Sequence, residues 1–116
     1  MSSGNLLEVG VLLLLSDHPD HGYSILHRLI DLGIDFTDDP GTLYRRLRVL
    51  EERGLVDHRM QRSNKGPARK VYSIGPSGHE ALDARIPDLY CVIQTTRRCL
   101  DLYSQTKGAA TPGVTA

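Results

Sequence analysis

The chain has 116 residues, 40% hydrophobic and 24% charged, which is too apolar for a disordered polypeptide. The length suits one domain, or one domain with an appended oligomerisation helix, and leaves enough surface uncovered for a partner subunit to be expected. Formal net charge is zero, with 14 Lys+Arg against 14 Asp+Glu, which excludes a uniformly basic coat.

By position the charge is polarised. Residues 1–41 hold one base (Arg28) against seven acids, a net of −6; residues 42–72 hold nine bases against three acids, a net of +6; residues 73–116 hold four of each. A basic segment can bind polyanions whatever the total says, so residues 42–72 are where function is sought. The longest apolar run, Val11 to Leu15, falls far short of the roughly 20 residues that span a bilayer. The N-terminus has no basic region and Glu8 interrupts its apolar stretch, so no signal peptide is expected. Cys91 and Cys99 make no disulfide framework; on one helix they stand about 12 Å apart, too far to bridge. A cytoplasmic protein is expected.

Asn5 to Ser16 reads as a helix, with Asn5 or Ser3 as cap, and it is apolar nearly all round, which predicts contacts on several sides. Asp17-His18-Pro19-Asp20-His21-Gly22 reads as a turn. Tyr23 to Leu32 reads as a second helix whose apolar face is Ile25, Leu26, Leu29, Ile30 and Leu32, ended by Gly33. After a connector from Ile34 to Asp38, Asp39-Pro40 opens a third helix that runs to about Arg53 and stops at Gly54. Leu43, Leu47 and Leu50 form its buried stripe, and Thr42, Arg45, Arg46, Arg48, Val49 and Glu52 its other face. Leu55–Gln61 and Arg69–Ile74 read as two strands joined by a basic loop over 62–68. Gly75-Pro76-Ser77-Gly78 ends the hairpin. Pro87 then predicts two helices, one over 77–86 and one over 88–105, before a disordered tail over 107–116.

The fold class that follows is mainly α with a small β-hairpin: a winged helix-turn-helix over residues 1–76 plus a C-terminal helical dimerisation region over 77–106. The third helix, about 20 Å long, would present its arginines to a major groove while the wing reaches along the backbone.

His21-Gly22-Tyr23 resembles a motif of the PadR family of transcriptional regulators. So do Pro40-Gly41-Thr42-Leu43-Tyr44-Arg45, Leu50-Glu51-Glu52-Arg53-Gly54-Leu55-Val56 and Gly66-Pro67-Ala68-Arg69-Lys70-Val71-Tyr72. The resemblance covers about residues 5–85 in the family's order and spacing. It departs after the wing, where the family has a Thr-x-x-Gly-like helix start and this chain has Gly75-Pro76-Ser77-Gly78, with Ser77 as substitute cap. The short C-terminal region resembles the subfamily with one dimerisation helix.

The candidate DNA-binding residues are Thr42, Tyr44, Arg45, Arg46 and Arg48 on the third helix and Arg62, Lys65, Arg69 and Lys70 in the wing. Arginine reads guanine bidentately and bases neutralise phosphates; Tyr44 can equally be half-buried in support of the helix. Leu89, Ile93, Thr96, Leu100 and Tyr103 are spaced 4, 3, 4, 3, the pattern of a helix-pairing seam. They are read as pairing with Leu7 and Val11 of the first helix of a second copy, against the alternative of packing within one chain. A homodimer would set two recognition helices about 34 Å apart on a near-palindromic site. The resemblance further implies release from DNA by a small, often aromatic effector, with Leu14, Tyr90, Ile93, Arg97 and Tyr103 as candidate lining; plain dimer core is the other reading of these positions.

Chemistry has little to stand on. Asp17, His18, Asp20 and His21 match no strong metal signature, Gly75-Pro76-Ser77-Gly78 is not a nucleophile elbow, and no cofactor is implied. Cys91 or Cys99 is either a redox sensor beside Arg97 and Arg98 or inert helix packing. The leading expectation is a homodimeric repressor of double-stranded DNA released by a small ligand. The alternative is a small-molecule sequestration or resistance protein on the same scaffold.

Overall fold

The computed structural model describes residues 3–34, 39 and 41–108, with side chains from residue 6 onward. The expected cap residues Ser3 and Asn5, the first-position Pro40, most of the connector and nearly all of the tail lie outside the described side chains. The element order is α1 (Ser3–Asp17), β1 (Asp20–His21), α2 (Gly22–Asp31), α3 (Gly41–Glu52), β2 (Val56–Ser63), β3 (Gly66–Ile74) and α4 (Pro76–Lys107). The winged helix-turn-helix order read from the sequence is the order observed. By contacts the chain divides into two units, one ending at Arg85 and one beginning at Ile86.

The first unit is built round leucine. Val11 and Leu12 of α1, Ile25 and Leu29 of α2, and Leu43, Leu47 and Leu50 of α3 are completely shielded from solvent. The stripe expected for α3 is therefore its core face, and truncating any one of these leucines costs about 2–5 kcal/mol. On α2 the apolar face is narrower than its sequence suggests, since Ile30 and Leu32 are 41% and 52% exposed. Helices α2 and α3 stop in the same way. Gly33 donates to Ile30 O (2.9 Å) and Ile34 to Leu29 O (3.1 Å); Gly54 donates to Glu51 O (3.0 Å) and Leu55 to Leu50 O (2.9 Å). These are paired Schellman bonds, and they place Gly33 and Gly54 at φ 89° and 76°, where an L side chain is strained.

The sheet is three-stranded and antiparallel in the order β1-β3-β2. The short strand β1 corrects the turn expected at Asp20-His21: Asp20 pairs with Tyr72 and His21 with Val71. Two residues carry no periodicity, so only the presence of β3 reveals them. The wing strands are also longer than expected. They run Val56–Ser63 and Gly66–Ile74 with only Asn64 and Lys65 between them, and the register is irregular between Gln61 and Ser63. Pro67 was read as loop because it breaks ladders. It is tolerated here because it lies beside that irregularity, beyond the reach of β1.

Pro87 does not split the C-terminal helix: α4 is continuous from Pro76 to Lys107 with Pro87 inside it. Proline removes one helical hydrogen bond, that to Asp83 O, but Asp83 and Pro87 are both exposed, so water takes the freed carbonyl. Ser77 is not the cap either. Gly75 O accepts from His79 N (3.0 Å), which makes Gly75 the cap and Pro76 the first helical residue, where proline's fixed φ suits the helix. Gly78 is buried against β2's entry: a Cβ there would lie 2.2 Å from Leu55 O and 2.5 Å from Ile74 Cγ1.

Candidate nucleic-acid interface

Ahead of helix α3 stands Asp39, whose Oδ1 accepts from Gly41 N (3.1 Å) and whose carbonyl accepts from Thr42 N (3.0 Å), so that it caps the helix. Arg45 turns back onto this cap, donating to Asp39 Oδ2 and to Thr42 Oγ1 (3.2 Å). The Arg45 hydrogen bond is the chief reason the exposed Asp39 carboxyl sits below its ordinary pKa.

The remaining arginines of α3 go different ways. Arg46 Nη1 lies 3.9 Å from Glu8 Oε2, and Arg53 Nη1 donates to Glu8 Oε1 at 3.2 Å. Both are drawn toward α1, so Arg46, expected on the DNA face, is turned inward. Arg48 is exposed, and no described carboxylate lies within ion-pair reach of it. The basic face expected of α3 thus reduces to Arg48, with Tyr44 beside it.

Tyr44 is 45% exposed, and its ring lies over the start of α2, where a Cβ on Gly22 would stand 2.6 Å from Tyr44 Cε1. The ring thus rests on the start of α2 and is also open to solvent. The start of α2 is pinned in turn by Asp20. Its carboxylate accepts from His21 N (2.9 Å), Arg28 Nη1 (3.0 Å) and Ser24 Oγ. Burial pushes the Asp20 carboxyl up, but the Ser24, His21 and Arg28 hydrogen bonds outweigh it and hold the pKa below its ordinary value. Arg28 also reaches Asp17 Oδ2 (3.1 Å) and Leu14 O (3.3 Å), tying the end of α1 to α2.

In the wing every residue from Arg59 to Lys70 is exposed. Arg62, Lys65, Arg69 and Lys70 have no described carboxylate within ion-pair reach. Arg69 and Lys70 face Arg48 across a groove of about 560 Å³. Its walls are His21 and Tyr23 at the start of α2, Tyr44 and Glu51 of α3, and Tyr72 of β3. A second hollow of about 480 Å³ shares Arg48, Glu51 and Lys70 and extends to Glu52 and His58. Glu51 is held on one side of the groove by His58, whose Nδ1 sits 2.7 Å from its Oε2 and 2.9 Å from its Oε1. The Tyr72 phenol, tilted against His58 with ring centroids 5.9 Å apart, is pushed up in pKa by burial first and then by the nearby Glu51 carboxylate. It therefore stays protonated and available as a donor. A channel with cations on both sides, aromatic hydroxyls along it and a helix lying open beside it suits a phosphate backbone.

The sequence reading missed His21 and Tyr23 as groove walls, the Glu51–His58 pair and the role of Glu8. For Glu8 the signal was available: one acid stands inside an otherwise apolar helix.

Among the other expected residues, Leu7 and Val11 are 3% and 0% exposed within a single chain, so both are spent on its own core; the exposed leucines described on α1 are Leu6 and Leu13, at 42% and 45%. On α4 Leu89 is half-buried and Thr96 exposed, while Ile93, Leu100 and Tyr103 are 51%, 47% and 44% exposed. Of the expected effector-lining residues, Leu14 is half-buried on α1; Tyr90, Ile93, Arg97 and Tyr103 are exposed on α4. Neither hollow described above contains any of the five. Cys91 and Cys99 are exposed free thiols. Among the described residues no helix is long and apolar enough to cross a membrane, and no cluster of three or more metal-ligating side chains occurs.

Residues 11–84 match the family described as "Transcriptional regulator PadR-like family", a stretch holding both sides of the groove. The chain is a PadR-like transcriptional regulator. Solved structures agree in fold. A PadR-like regulator of Bacillus cereus is 27% identical, with a TM-score of 0.72 over 83% of this chain and 92% of that one. A transcriptional regulator of Thermoplasma acidophilum is 24% identical, with a TM-score of 0.76 over 84% and 93%. Bacillus subtilis PadR, solved in complex with operator DNA, is 24% identical with a TM-score of 0.61; the match covers 68% of this chain and 45% of that one. Among curated proteins there is no significant match. PadR-like proteins are regulators rather than enzymes.

Proposed function

We propose that this PadR-like regulator binds double-stranded DNA as a homodimer, with α3 in the major groove and the wing along the backbone. The observation that carries the reading is the sorting of its cations. The described carboxylates take up Arg28, Arg45, Arg46, Arg53 and Arg85, whereas Arg48, Arg69 and Lys70 are left free and line one groove. Bacillus subtilis PadR, similar in fold, is solved in complex with operator DNA, which supports DNA as the partner here. Residues 1–76 are the DNA-binding part and 77–106 the dimerising part of this proposal. Pairing through the exposed Ile93, Leu100 and Tyr103, with Leu6 and Leu13 as added apolar surface, would place two α3 helices about one DNA turn apart. Repression by occupying an operator, release by a small apolar or aromatic effector, and a cytoplasmic location complete the reading; these rest on the family.

The test is DNA binding by fluorescence anisotropy at several salt concentrations, using the duplex upstream of the protein's own reading frame. Each phosphate contact contributes a slope of about 0.9 in log K against log salt. Lys70→Ala is expected to lower the slope by about that amount. A slope unchanged by Lys70→Ala and by Arg48→Ala refutes the groove as the DNA site. No binding at low salt, together with tight ligand binding, would point instead to a sequestration protein.

A further inference from the structure

Glu8 is the one charged residue buried among the described side chains, at 5% exposure. An ionised carboxylate out of water is unfavourable unless well paired, and three guanidiniums surround this one. Arg53 Nη1 is 3.2 Å and Arg85 Nη2 3.6 Å from Oε1, and Arg46 Nη1 is 3.9 Å from Oε2. The three come from the middle of α3, the end of α3 and the first stretch of α4. Arg46 Nε is buried with no described hydrogen-bond partner, so this side chain is held by charge more than by completed hydrogen bonds.

Arg46 and Arg53 stand seven positions apart, two turns along one flank of α3. That flank borders the leucine stripe and is turned away from Arg48. The stripe of Leu43, Leu47 and Leu50 decides which face of the helix is buried. Two cations on the neighbouring flank, both held by a single buried carboxylate, add a directional constraint that apolar packing lacks. The geometry points to Glu8 as a positioning residue: it sets the rotation of α3, and so decides which side chains face DNA and keeps two further arginines off the phosphates. It governs discrimination between sequences more than affinity, and in that it rests on the DNA-binding reading above.

Glu8→Gln preserves the shape and an acceptor for Arg53 but removes the charge. The probes are a duplex selected by the wild-type protein from a random pool and a scrambled duplex of the same composition. In Glu8→Gln, affinity for the selected duplex is expected to fall about tenfold, the cost of roughly one mismatched base pair. Affinity for the scrambled duplex should hold or rise, with a salt slope steeper by about one as freed arginine reaches phosphate. A role confined to packing would weaken both duplexes by the same factor, because a loss of folded protein cancels in their ratio. An unchanged ratio and slope therefore overturns the assignment. Should Glu8→Gln not fold, Arg46→Met, which keeps the aliphatic stem, is expected to lose discrimination with no steeper slope; an unchanged ratio there overturns it equally. If the wild type selects no duplex, the DNA-binding reading fails by itself. Amide hydrogen exchange across residues 45–53 then decides the clasp in Glu8→Gln: faster exchange supports it and unchanged exchange overturns it.

Discussion

Gly78 offers a strong test of how α4 is seated on the wing. Its Cβ position lies 2.2 Å from Leu55 O, 2.5 Å from Ile74 Cγ1 and 3.2 Å from Leu55 C, and backbone atoms cannot rotate aside. A comfortable carbon–oxygen contact is about 3.3–3.6 Å, so Gly78→Ala must drive the first turn of α4 about 1 Å from β2. The same carbonyl accepts a hydrogen bond from Gly75 N, the residue ahead of α4, at 3.1 Å, which that shift breaks. Leaving the acceptor unpaired costs about 1–3 kcal/mol and the overpacking about 1–3 kcal/mol, while alanine's better helix propensity returns about 1 kcal/mol. The net is a loss of about 1–5 kcal/mol, with a central value of about 3 kcal/mol, or roughly 12–24 °C in melting temperature for a unit of this size. Thermal and urea melts followed by circular dichroism measure it. Gly66→Ala is the control, since nothing lies within 4 Å of its Cβ position, and it should stay within about 0.5 kcal/mol of wild type. If Gly78→Ala melts with the Gly66→Ala control, the close approach of α4 to Leu55 is refuted.

Three other outcomes are expected. Asp20's carboxyl is held below its ordinary pKa in the folded chain, so its contribution is fully present above the unfolded value of about 3.9 and is lost as pH falls through the lower folded value. Asp20→Asn should flatten the acid limb of the stability profile below about pH 4, and parallel acid limbs in urea melts would count against the network. Gly22→Ala pushes on the exposed Tyr44 ring, 2.6 Å from the new Cβ. Stability should change by less than about 1 kcal/mol while DNA affinity drops several-fold; anisotropy showing unaltered affinity would remove Tyr44 from the interface. Leu100→Asp places a charge in the exposed apolar row of α4 and should yield a monomer by sedimentation velocity at micromolar concentration. Identical sedimentation of variant and wild type would sink the proposed seam.

Much of the fold was legible because it follows from local periodicity and punctuation. The leucine spacing of α3, the glycines after α2 and α3, and the Gly/Pro-marked wing each say what the chain does over a few residues. What could not be read depends on partners distant in sequence. β1 exists only because Val71 and Tyr72 pass beside it, and Pro87 stays helical because the bond it removes is open to water. The candidate site was legible in its location and less so in its membership. Summed charge pointed to residues 42–72, yet charge counts cannot tell a free arginine from a committed one. Asp39 takes Arg45, and Glu8, thirty-eight positions before Arg46 in the chain, takes Arg46 and Arg53. Of the arginines expected to face DNA from α3, Arg48 alone is left without a described carboxylate partner.

The tip of the wing has a consequence for how such a protein can change. From Arg59 to Lys70 no side chain is buried, and the two strands there lean on nothing but each other. Substitutions in that stretch pay no packing penalty, so apart from the groove cations Arg69 and Lys70 its charge and length can drift while the leucine core stays fixed. Relatives with an identical interior could thus carry tips of quite different character. For an engineer the outer hairpin around Asn64-Lys65 is the natural place to graft a foreign loop, provided the ladder below it and the two groove cations are kept.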